Sequence, residues 1–164
     1  MKIDFIYVIN LATDSGRIVE NIDRLKFKKS KPFYEFPAVN GWELVQGKVD
    51  SPYQFKQADW WKHDFGPNEP QNNWWNRDLT PGEIGCALSH YQVIEGAYNS
   101  GYENVLILEE DFYLNENFDK FPEFELNHLN DDWSICYLGR SALEKDKEER
   151  VNDYIIRCGY TFNT

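Results

Sequence analysis

The chain has 164 residues, a length that buries enough surface for one domain to fold without disulfides or structural metals. An apolar fraction of 41% with 16% aromatic residues excludes a disordered chain, and no apolar run reaches the roughly 20 residues that a membrane helix needs. A formal net charge of −11 excludes nucleic acid as a partner, because such binding relies on clustered Lys and Arg to displace counterions.

The same charge is compatible with a nucleotide-sugar, since one diphosphate is neutralised locally by a divalent metal held on carboxylates. The first residues lack the basic start and small-residue cleavage site of a secretory signal, so the expectation is a cytoplasmic protein. Cys86, Cys136 and Cys158 are widely spaced and show no metal-ligand spacing. They read as reduced thiols, buried as small apolar residues.

In chain order, residues 3–9 (IDFIYVI) are β-branched and aromatic, bounded by Asn10, and predict a buried strand of a parallel sheet. Ile18, Ile22 and Leu25 recur at helical spacing with basic residues toward the end, predicting a helix over 17–29. Residues 32–39 (PFYEFPAV) predict a second strand shortened by its prolines, with Asn40 and Gly41 supplying turn chemistry. Across 42–78 no period is sustained, and Trp60, Trp61, Trp74 and Trp75 form two adjacent pairs. That length suggests a partly helical excursion or a substrate-facing flap, with the tryptophans serving as packing or as sugar platforms.

Thr80, Pro81 and Glu83 form a helix-start signature for a helix over 81–99, which Gly101 stops. Residues 104–108 (NVLIL) are the most strand-like run and lead into Glu109, Glu110 and Asp111. A loop or short helix is expected over 112–127, a buried strand at 133–138 (WSICYL), a solvated helix or loop at 141–152, and a last strand at 154–158 (YIIRC).

The acidic triplet carries the chemistry. In open α/β sheets ligands bind beyond the carboxyl ends of the strands, which puts these acids on the rim. Strand alternation would give Glu109 and Asp111 a common direction while strand geometry persists, and two hard oxygen ligands suit Mg²⁺ or Mn²⁺ on phosphate oxygens. Solvated acids at a strand end are the plain alternative. Arg17 stands after the first strand, where its guanidinium would pair with phosphate or stack on uracil, or simply cover a helix surface. Gly82 and Gly85, three apart on one helical face, allow close backbone approach to a neighbour or a ligand. His90 is either a nucleotide or acceptor contact or a hydrogen-bonded core residue, and no Cys-His or Ser-His-Asp arrangement is evident to support nucleophilic catalysis.

Taken together, IYVINL at 6–11 with Arg17, PAVNG at 37–41, LTPGEIGCALSH at 79–90, NVLILEED at 104–111 and YLGR at 137–140 resemble glycosyltransferase family 25. That family contains the bacterial lipooligosaccharide and the procollagen galactosyltransferases. LTPGEIGCALSH is the most specific of the matching pieces.

The resemblance implies a GT-A-type α/β fold with a mostly parallel central sheet, here a single domain over 1–164 that stops before the family fold is complete. It implies transfer of a hexose, often galactose, from a UDP-sugar to a glycan or protein hydroxyl with inversion, usually with Mn²⁺. By the same resemblance Asn10, Arg17, His90 and Glu109 would bind the nucleotide-sugar, and Asp111 with Glu109 would hold the metal. Glu110 stands where the family usually has Asp, which lengthens that arm by one methylene. A non-catalytic nucleotide- or glycan-binding module is the alternative, with an exposed sheet edge favouring a homodimer. A metal-dependent phosphohydrolase is a weaker one, since further acids and histidines are not clustered at other strand ends.

Overall fold

The computed structural model describes residues 3–12, 32–48, 79–114, 134–142, 145–153, 155–158 and 161–163, together with Val19, Ile22, Asp23 and Leu25. Its centre is a parallel sheet of β1 (Phe5–Asn10), β2 (Phe33–Pro37) and β3 (Val105–Glu109) in the order β2-β1-β3. β1 pairs with a strand on either side, Ile9 standing opposite Phe36 on one and Glu109 on the other. Asp4 latches the start of β3 to β1, its carboxylate accepting the amides of Glu103 and Asn104, each at 3.0 Å.

Both faces of β1 are covered, which explains why its sequence reads as a continuous apolar run rather than an alternation. On one face Ile6 and Val8 pack with Leu106, Leu114, Ile22 and Leu25, the last two being helical. On the other face Tyr7 and Ile9 pack with Val93 and Ala97 of the long helix α2 (Pro81–Asn99). The crossovers from β1 to β2 and from β2 to β3 therefore lie on opposite faces, and the connection reverses direction between β1 and β3.

α2 begins as its sequence predicts. The Thr80 hydroxyl accepts the Glu83 amide, the Glu83 carboxylate accepts the Thr80 amide at 2.7 Å, and Pro81 occupies the first turn. It ends at Ser100, with Gly101 in the left-handed region at φ +74°. Asn40 acts as a helix cap rather than a turn: its side chain accepts the amides of Trp42 and Glu43 and opens the short helix α1 (Gly41–Val45). The tryptophan pairs at 60–61 and 74–75 lie outside the described residues.

α1 and α2 meet backbone to backbone. A Cβ on Gly85 would stand 2.5 Å from the Val39 carbonyl oxygen and 2.8 Å from the Gly41 amide, and one on Gly41 would overlap the Pro81 carbonyl. Buried Ser89 closes the contact, accepting the Val39 amide at 2.8 Å and donating to the Gly85 carbonyl at 2.7 Å. Among the described residues Gly82 takes no part, a Cβ there meeting only Thr80 Oγ1 at 4.0 Å.

Two expectations are corrected. Residues 134–139 form no strand, and Ile135, Tyr137 and Leu138 are exposed. The ladder forms instead at β4 (Arg140–Ala142) with β7 (Thr161–Asn163), antiparallel, and beside it in sequence β5 (Glu149–Arg150) pairs with β6 (Ile156–Arg157). A strand needs a partner that takes up its amides and carbonyls, and apolar composition alone does not supply one. The cysteines are not buried either: Cys86 and Cys136 are exposed and Cys158 is intermediate.

Gly85→Ala should destabilise the protein by about 2 kcal/mol, because both obstructing atoms are backbone and the two helices must part. Gly82→Ala should change stability by less than about 1 kcal/mol, on the favourable side. Urea unfolding of both variants checks this, and equal losses would show that the glycine contact does not order the packing.

Candidate functional site at the carboxyl rim of the sheet

The carboxyl ends of β1 and β3 lie side by side, where the chain connection reverses. Open α/β sheets bind ligands in the crevice beyond that reversal. Asn10 closes β1 and Glu109 closes β3, on opposite faces of the sheet, because Glu109 stands in register with Ile9.

Asn10 is 7% exposed, and its Nδ2 donates to Glu35 Oε1 of β2 at 2.7 Å. Its Oδ1 is buried without a hydrogen-bond partner among the described residues. A buried carbonyl left unpaired costs about 1–3 kcal/mol, so this atom is an acceptor suited to a ligand donor at the rim.

On the α2 face, His90 Nε2 lies 3.2 Å from Glu109 Oε1. Cys86 stands one turn earlier on the same helix, and the Cys86, His90 and Glu109 donor atoms all fall within 4.8 Å of one another. The Cys86 thiol first and the Glu109 carboxylate second favour the charged imidazole, pushing His90 up to about 9 against the opposing effect of burial. The hydrogen bond from His90 in turn holds the Glu109 carboxyl below its ordinary value. His90 is thus a half-buried imidazolium at neutral pH, a positive group on an acidic rim.

Strand geometry stops at Glu109. Glu110 and Asp111 lie in a turn closed by the Phe112 amide on the Glu109 carbonyl at 3.1 Å, so strand alternation does not set the direction of Asp111, which is exposed. Arg17 lies outside the described residues. Sequence reasoning overlooked Cys86 and Glu35. The signal for Cys86 was its spacing of four from His90 within GCALSH, which sets two donors on one helical face. Glu35 was signalled by an acid inside an apolar strand pattern beside the strand that ends in Asn10.

Comparison with known families matches residues 3–157 to the family described as glycosyltransferase family 25 (LPS biosynthesis protein). The chain belongs to glycosyltransferase family 25. A glycosyltransferase 25 family member from Aedes aegypti is 30% identical over 176 residues, taking in 100% of this chain and 26% of the relative. One from Anopheles gambiae is 28% identical over 172 residues, with 100% and 26% covered. The human protein named inactive glycosyltransferase 25 family member 3 is 33% identical over 92 residues, 51% of this chain and 15% of its own length. The chain therefore spans about a quarter of the mosquito family 25 proteins. No solved structure matches it. Among the described residues of this family member, no helix is long and apolar enough to cross a membrane.

The ion pair makes stability depend on pH in a stated sense. His90, raised from 6.5 to about 9, contributes fully below pH 6.5 and loses its contribution as pH rises through about 9. Glu109, lowered from 4.5, contributes above pH 4.5 and loses its contribution as pH falls through its depressed value. In urea melts His90→Gln should flatten the decline in stability between pH 6.5 and 9, and an unchanged decline would remove His90 as its source.

Proposed function

We propose that the rim between β1 and β3 is the donor site of a GT-A-type transferase that moves a hexose, galactose in the first instance, from a UDP-sugar to a hydroxyl of a glycan or protein acceptor with inversion. Family membership supports the reaction class. The observation that carries the location is the reversal point itself, flanked by the buried Asn10 oxygen, unpaired among the described residues, and the acidic end of β3.

The donor chemistry fits a hard divalent cation. Glu109 and Asp111 offer carboxylate oxygens, the ligands that Mn²⁺ and Mg²⁺ prefer, and Asp111 is the exposed one of the two. Bound there, the ion would neutralise the diphosphate that departs as UDP. Asn10 Oδ1 would accept a hydrogen bond from the uracil imide or a ribose hydroxyl, satisfying an atom that has no partner among the described residues. The His90 imidazolium would add positive charge near the phosphates and keep Glu109 ionised. Arg17, on the segment after β1, would supply a further cation to the diphosphate.

Thermal unfolding with Mn²⁺ and UDP, together and apart, tests this directly. At roughly 100 times the dissociation constant the pair should add about 2.7 kcal/mol and raise Tm by several degrees, and Asp111→Ala should abolish that rise. Absence of any rise would overturn the donor-site assignment. Stabilisation by a glycan with no nucleotide effect would mark the chain as a non-catalytic binding module instead.

A further inference from the structure

We propose that Cys86, His90 and Glu109 form a second cation site, selective for a thiophilic transition ion of the Zn²⁺ or Co²⁺ class and distinct in chemistry from the Mn²⁺ site of the donor rim. Three different ligand atoms, one sulfur, one imidazole nitrogen and one carboxylate oxygen, lie within 4.8 Å of each other. A tetrahedral ion with bonds of about 2.0–2.3 Å holds its ligands slightly closer than that, so small side-chain rotations close the site without moving backbone.

The framework is rigid where it matters. Cys86 and His90 are four apart on one helix, the spacing by which helices present two metal donors from one face. α2 is fixed at its start by the capping box and by the Gly41–Gly85 contact, and its Val93 and Ala97 are buried against the sheet that carries Glu109. Glu109 is also tethered to His90 at 3.2 Å, so two of the three donors are already assembled. Cys86 is exposed, which gives an ion from solvent access to the third.

Sulfur and imidazole select against Mg²⁺ and Mn²⁺, which favour oxygen, and three protein donors leave a fourth position for water. On binding, the Cys86 thiol and the His90 imidazolium each release a proton to solvent and the ion takes their place, so occupancy rises with pH. Glu109 belongs to both sites, so a thiophilic ion here competes with the donor site for one carboxylate.

Titration of the full chain with Co²⁺ tests the proposal without any nucleotide. One equivalent should produce a thiolate-to-cobalt charge-transfer band in the near ultraviolet together with tetrahedral visible bands. Both should persist in a Cys136→Ser, Cys158→Ser double variant, which removes the other two thiols. Cys86→Ser should lose the charge-transfer band, and Cys86→Ser and His90→Ala should each weaken Zn²⁺ competition by about a hundredfold or more. Circular dichroism of metal-free Cys86→Ser should match the parent, as an exposed thiol predicts. No charge-transfer band at millimolar Co²⁺, or a band that survives Cys86→Ser, overturns the site. Stabilisation by Mn²⁺ and UDP should be unaffected in Cys86→Ser, so failure of this site and failure of the donor site give different results.

Discussion

The placement of α2 depends on two backbones meeting with no side chain between them. Where Gly41 and Gly85 cross, Ser89 turns the near-contact into hydrogen bonds to Val39 and Gly85. That contact fixes the start of α2 relative to the chain leaving β2, while Val93 and Ala97 fix its later turns on the sheet. His90 lies between these two anchors, and its distance to Glu109 follows from them. Two of the segments that carry the family resemblance, PAVNG and LTPGEIGCALSH, are thus the two sides of one packing contact.

The rim gathers ligands of two chemical kinds. The turn after β3 offers carboxylates alone, while the α2 face offers sulfur, nitrogen and one shared carboxylate. A cation chooses between such sets by the hardness of its ligands rather than by charge alone. In a chain with a net charge of −11, a half-buried imidazolium at this edge also sets a positive group beside the acids of the rim.

What was legible in the sequence was local. Thr80, Pro81, Glu83 and Gly101 announce α2 because capping and the left-handed glycine act within a few residues. β1 and β3 were legible because burial on both faces leaves an unbroken apolar run. WSICYL misled because its apolar residues carry no information about whether a neighbouring strand exists, and the pairing falls a few residues later. Cys86 misled for a related reason: a free cysteine is usually a small buried residue, but here its helical face meets the sheet rim, a fact of three-dimensional packing. Asn40 lay between two roles, since the same side-chain oxygen that makes a turn also caps a helix, and the helix that follows decides which.

The latch between Asp4 and the amides of Glu103 and Asn104 joins residues 99 and 100 positions apart. During synthesis at about 5–20 residues per second, β1 emerges roughly 5–20 s before β3 exists to cover its second edge. For that interval an aliphatic strand built to be enclosed on both faces has one free edge, the form of backbone most prone to pair with another chain. The pairing of β3 with β1, latched at the amino ends of the two strands, is therefore the last one the nascent parallel sheet can make, so the yield of folded protein is sensitive to whatever occupies β1 while it waits.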